Sequence, residues 1–163
     1  MRQLAELETI LTGMIAEHRG LLAEVQRHEL AMKSVNLEGM EKSRRVQEEI
    51  RQRIGQLDSR RRAVVQQLAN AARLPAPLLT ISKIAELHPQ SSERLLKLRD
   101  QLKDLATQIS QRTRVSAKMA SAVLGHLNTV VRLLAGAMQQ AGIYTKKGMP
   151  KLADRIGAIE AVG

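Results

Sequence analysis

The run LLKLRDQLKDLATQISQRTRVSAKMASAVLGHLNTVVRLLAGAMQQ, from Leu95 to Gln140, decides the fold of this chain. Leu95, Leu98, Leu102, Leu105, Ile109, Met119, Val123, Val130 and Leu133 fall on one heptad register, which Arg112, Ser116, His126, Ala137 and Gln140 complete. Alternating steps of three and four, sustained this long, describe one amphipathic helix with a coiled-coil type of seam. Up to Ser116 the neighbouring stripe is polar, Leu96 being followed by Arg99, Lys103 and Ser110. Beyond Ser116 a second apolar stripe opens beside the first, made of Leu124, Leu127, Val131, Leu134 and Met138. One stripe satisfies one partner helix, whereas two side by side make a face too wide for a single neighbour. The back of this helix therefore needs more cover than its front.

Outward from that helix, residues 2–34 read as a first helix. Leu4, Leu7, Leu11, Met14, His18, Leu21, Val25, His28, Met32 and Val35 share its register, and Ile15 and Leu22 widen the stripe. Gly13 and Gly20 lie inside it, each costing about 1 kcal/mol relative to Ala, which suits a close helix–helix approach. Asn36 is a good N-cap for a second helix over 36–72, with Glu38 in its first turn. The stripe of that helix uses Met40, Ile50, Ile54, Leu57, Val64, Leu68 and Ala71, and its outer face is dense in Arg and Glu. Residues 33–37 are either a turn or a kink in a continuous helix, with a register slip near Gly39 favouring the break. Pro75 and Pro77 end the second helix. Thr80 or Ser82 can cap a short helix over 80–87, closed by His88-Pro89. Ser91 or Ser92 is the expected cap of the long helix, 92–141, with Gly142 as its C-terminal stop.

The expected architecture is all-α: an elongated antiparallel helical bundle or hairpin with coiled-coil-like packing, three main helices and one short linker helix. Its expected division is a bundle over 1–141 and a flexible C-terminal tail over 142–163. Composition agrees. One Tyr and no Phe or Trp leave Leu, Ile, Val, Ala and Met to form the core, and no run alternates with period two between turn signals. No cysteine is present, so disulfides, thiolate metal sites and cysteine nucleophiles are excluded together. Glu6, Glu8 and Glu17 interrupt any signal-like apolar run near the start. Residues 123–138 are apolar but short, and His126, Asn128 and Arg132 make them a poor membrane span.

The formal net charge is +10. The excess lies in residues 36–72, with eight basic and five acidic side chains, and in 92–141, with eight basic and three acidic. Basic surface permits contact with nucleic acid or anionic membrane, yet no aromatic side chains interleave with the charges for base stacking. No Gly-rich phosphate loop, HExxH, nucleophile elbow or paired buried carboxylates appear. His18 and His28 sit ten residues apart on one seam, too far for a joint metal site on one helix. No catalytic residue, metal ligand, cofactor or small-molecule substrate is expected, so the chain reads as a presenter of helical surface.

Asn36-Leu37-Glu38-Gly39-Met40, Leu57-Asp58-Ser59-Arg60-Arg61, the proline linker, the leucine-rich run Leu127 to Leu134 and Tyr144-Thr145-Lys146-Lys147-Gly148 follow one another in order. In that arrangement the chain resembles the FlgN family of flagellar type III export chaperones. That family tends to carry Asp-Leu-x-x-Leu, Leu-x-x-x-Arg and Tyr-x-x-x-Gly elements at the corresponding places. Where it often shows two Asn residues three apart, this chain has Thr113 and Ser116. Its sequence pI near 10.7 is also higher than is usual for such chaperones. The resemblance implies a cytoplasmic bacterial chaperone. Its clients would be hook-associated subunits of the hook–filament junction, held by the C-terminal helical part and delivered to the export gate and its ATPase components.

The residues support the same class on their own terms. A helical client segment needs an apolar groove, and Met119, Val123, Leu124, Leu127, Val130, Val131, Leu134 and Met138 supply one. The resemblance, through its Tyr-x-x-x-Gly element, makes Tyr144, Lys146, Lys147 and Gly148, which follow it, candidates for docking at the export gate. The competing cover for the same face is the first two helices of this chain, packed as an ordinary three-helix bundle. Two other readings stay open: a coiled-coil adaptor that pairs along its heptads, as a homodimer for instance, and a basic protein associated with nucleic acid. Salt separates the last, because phosphate binding weakens steeply as salt rises.

Overall fold

The computed structural model describes the backbone of residues 2–144 and the side chains of residues 2–137. Among the described residues there is no strand. Four α-helices follow in order: α1 (Arg2–Lys33), α2 (Leu37–Ala72), α3 (Ile81–Leu87) and α4 (Pro89–Tyr144), with a 3₁₀ turn at Ala76–Leu78 before α3. The chain divides into two compact units, Met1–Ala120 and Ser121–Gly163, and the division falls inside α4.

In the first unit, α1 and α2 form an antiparallel pair joined by a tight turn rather than a kink. Two hydrogen bonds close the end of α1, Asn36 N–H to the Ala31 carbonyl (2.9 Å) and Val35 N–H to the Met32 carbonyl (3.1 Å). They place Val35 in the left-handed region at φ 52, a conformation that glycine takes freely and a β-branched side chain takes with strain. Asn36 then starts α2, its side chain accepting from the Gly39 N–H at 2.9 Å. A Cβ on Gly39 would come within 2.8 Å of that same Asn36 side chain, so a larger residue there would make the capping amide shift. The α2 terminus repeats the device, with Arg73 at φ 55 and Leu74 N–H donating to the Ala69 carbonyl at 3.0 Å.

Gly13 faces the Leu57 side chain and Gly20 faces that of Ile50, and a Cβ at either place would sit 3.6 or 3.7 Å away. Those are ordinary contacts. The two glycines are thus tolerated by the packing and not demanded by it, contrary to the close approach expected from sequence.

One core cluster joins Leu4, Leu7, Ile10 and Leu11 of α1 to Val64, Val65 and Ala69 of α2, to Leu95 of α4, and to Leu79, Ile84 and Ala85 of the linker. Ile84, Leu7, Leu11 and Leu95 are fully buried, so α3 fills the core at this end as well as connecting two helices. A second cluster gathers Leu21, Val25 and Ile50, with Val46, Ile54 and Ile109 against it. The first part of α4 runs alongside α1 in the same direction, since Arg94 pairs with Glu8 at 3.1 Å and Arg112 with Glu29 at 2.9 Å.

Two caps differ from expectation. Thr80 caps α3, accepting from Lys83 N–H at 3.2 Å. The long helix, however, begins at Pro89 and not after Ser91 or Ser92. Proline suits the first position of a helix because its missing N–H would be unsatisfied there anyway, and Ser91 N–H instead donates to the His88 carbonyl at 3.0 Å. At the other end α4 runs through Gly142 to Tyr144, so Gly142 lies inside the helix and does not stop it. Residues 145–163, most of the expected tail, lie outside the described residues.

Candidate functional site

The second unit, described by itself, is the end of α4. Helical geometry puts Leu124, Leu127, Val131 and Leu134 on one face, because steps of three and four return to the same side. All four are exposed, by 66, 54, 49 and 59% respectively. Beside them Val130 and Leu133 are exposed as well, and Val123 is half-buried. Met119, in the first unit, is half-buried too. Of the remaining candidates, the Met138 and Tyr144 side chains and all of Lys146, Lys147 and Gly148 lie outside the described residues. His126 is exposed on the same run. In this structure the surplus apolar face is surface.

Leu133 belongs to that surface and was not among the predicted site residues, although it sits on the same heptad register. By length and composition a window of α4 is long and apolar enough to cross a bilayer, and none of that window is buried. His126, Asn128 and Arg132 interrupt the run, and polar or charged groups of this kind are expensive in hydrocarbon.

The first unit holds features that the sequence reading missed. Glu29 is a buried carboxylate in α1, accepting from Arg112 Nη1 at 2.9 Å and from Ser116 Oγ at 3.3 Å. The signal for it was present: Arg112 and Ser116 are polar residues on seam positions of α4, and a seam position tolerates polarity only opposite a partner. Glu24, also buried, pairs with Arg27. Its carbonyl accepts from Ser43 Oγ at 2.8 Å and Gln47 Nε2 at 3.4 Å. Above this layer a groove of about 500 Å³ lies at the α1–α2 turn, lined by Arg27, Leu30, Asn36, Gly39 and Lys42 among others. Leu30, Val35 and Leu37 around that turn are exposed.

The Leu57–Arg61 stretch is a packing and ion-pair element. Leu57 covers Gly13, and Asp58 pairs with Arg61 and Arg62, both at 2.8 Å. Burial pushes the Asp58 carboxyl up, but the hydrogen bonds and charges of the two arginines outweigh it and hold the group below the usual carboxylate range. His18 Nδ1 donates to the Met14 carbonyl at 2.7 Å. Among the described residues no group of three His, Asp or Glu is placed to hold a metal ion.

An all-helical chain with a packed first unit and a bare apolar helix face in its second is suited to holding another protein. The family model for FlgN protein matches residues 1–151. The chain belongs to the FlgN family. No curated protein and no solved structure matches it. FlgN membership makes the chain a flagellar chaperone, with flagellar proteins as its partners. The FlgN match takes in both the packed unit and the exposed end of α4. Ser116 gives its hydroxyl to Glu29, so this position works in helix packing here.

Proposed function

We propose that this FlgN-family chaperone captures a helical segment of a hook-associated, hook–filament junction subunit on the exposed face of α4. Capture keeps the subunit from premature assembly in the bacterial cytoplasm, and the complex is then brought to the type III export gate. The observation that carries this reading is the exposure of Leu124, Leu127, Val131 and Leu134 on one helix face, with Met119, Val123 and Val130 along the same run and Met138 next on the stripe by sequence spacing. An amphipathic client helix laid along them exchanges water for apolar contact. Each fully buried anchor contributes about 1.5–3 kcal/mol, from which association and ordering costs are subtracted.

Replacing Leu127 and Leu134 with Ser tests the reading. Client titration by calorimetry should weaken by orders of magnitude, while melting stays close to wild type because both side chains are exposed. A large loss of stability with unchanged client affinity would make the stripe core and end the proposal. Sedimentation over a range of concentrations reads the competing occupant, a second copy of the chain paired along the same face. Tyr144, Lys146, Lys147 and Gly148 are assigned to docking at the export gate. Deleting residues 144–163 should then leave client affinity intact and impair export, whereas loss of client binding would assign them to capture.

A further inference from the structure

The apolar face of the second unit belongs to a run of one-sided charge. Between Asp104 and Asp154 the chain has no acidic residue, while Arg114, Lys118, Arg132, Lys146, Lys147 and Lys151 are basic. Interspersed with the exposed aliphatic residues of α4 are Gly125, Asn128, Thr129 and Gly136, small and uncharged. A groove built only for a protein helix has no reason to exclude carboxylates, since protein interfaces ordinarily match both signs at their rims. A lipid surface has that reason. Anionic headgroups repel carboxylates and attract Lys and Arg.

Hydropathy points the same way. A window of α4 is long and apolar enough to enter a bilayer, and none of it is buried. Arg132, Asn128 and His126 nevertheless oppose a full crossing. A helix too polar to span and too apolar to stay bare lies in the interface, with its aliphatic side at the boundary of headgroups and acyl chains. We propose that the back half of α4 binds the surface of an anionic lipid bilayer. Lipid and client then compete for one face, and the free chaperone is held at a membrane until a client displaces the lipid.

The full chain, which has no Trp, offers a clean probe. With Leu133→Trp, mixing with phosphatidylcholine vesicles that contain phosphatidylglycerol should shift the emission to the blue, and pure phosphatidylcholine should shift it far less. Flotation with the mixed vesicles should fall as salt rises. Replacing Arg132, the basic residue within the exposed run of the second unit, with Gln should lower partitioning about fivefold, as one charge near the surface does, and leave client affinity unchanged. Leu127→Ser with Leu134→Ser should abolish both. No blue shift with anionic vesicles overturns the proposal. So does flotation that survives the Leu127→Ser, Leu134→Ser change, because that would be the general attraction of a protein of charge +10 to any anion. In that double variant, vesicle binding kept with client binding lost removes this inference alone. Vesicle binding lost with client binding kept removes the client proposal alone.

Discussion

The two parts of α4 share one sequence grammar and meet opposite surroundings. In residues 89–120 the heptad leucines go inside, with Leu95 fully buried and Leu105 exposed by only 9%. In residues 121–137 the same spacing leaves Leu124 at 66% and Leu133 at 69%. The difference lies in what stands opposite. The first part meets Leu4 to Leu11 of α1, the Val64–Ala69 stretch of α2 and the Ile84 plug of α3. It is tied to α1 by the Glu29 carboxylate with Arg112 and Ser116, and α1 ends at Lys33. An apolar stripe is a demand for burial, and periodicity does not say which molecule meets it.

The sharpest way to break this comparison is to truncate one leucine from each part. Leu95→Ala should cost about 2–5 kcal/mol, since it removes buried methyl groups and leaves a cavity. Leu127→Ala should stay within about 0.5 kcal/mol, as exposed substitutions do. Urea midpoints of the two variants check this, and equal losses would mean that the exposed face is covered in solution. Next in size is the polar tie. Arg112→Leu leaves the buried Glu29 with the Ser116 hydroxyl alone, at a cost of about 1–3 kcal/mol for a carboxylate deprived of its best donor. A change near zero would show that water replaces Arg112 and that the tie does not hold α4.

Glycines sharpen the contrast further. Gly20→Ala fits against Ile50 at 3.7 Å and should raise the melting temperature through a helix-propensity gain of up to about 1 kcal/mol. Gly125 has nothing within 4 Å, so Gly125→Ala should slow amide exchange in the second unit without moving the main unfolding transition. A shift of that transition by Gly125→Ala would mean that the two parts of α4 unfold as one. The smallest effect belongs to Asp58. Its depressed carboxyl contributes stability that is present above its unfolded pKa and is lost as pH falls through the folded one. Asp58→Asn should therefore cost under about 1 kcal/mol at neutral pH, as surface pairs do. The gap between the two urea midpoints should close in acid. A gap that persists there would assign the loss to packing and not to charge.

The helices were legible because their signals are local. Asn36, Thr80, Pro75 and Pro77 mark ends that the backbone obeys whatever packs nearby, and the Leu7, Leu11 and Leu21 spacing names the buried side of α1. The cap misread at Ser91 and Ser92 was also a local matter: proline at the first helical position competes with a serine cap, and His88 left room for it. The Schellman turn at Val35 was less readable, because a β-branched residue at a left-handed position contradicts its own preference and only the Ala31 and Met32 carbonyls hold it there.

Sequence alone determined that this chain is helical, that its long helix carries two apolar stripes beyond Ser116, and that the second stripe is Leu124, Leu127, Val131, Leu134 and Met138. Those facts follow from a period of 3.6 residues and from the turn chemistry of Asn, Thr and Pro. Tertiary structure alone decided which length of that helix is spent on the chain's own core and where its stripes face solvent. Burial depends on elements distant in sequence, so Leu95 is covered because Ile84, Leu7 and Val64 gather around it. Glu29 is a tolerable buried charge because Arg112 reaches it from a helix eighty-three residues away. No window of sequence holds both partners of such a contact, and only the folded chain brings them together.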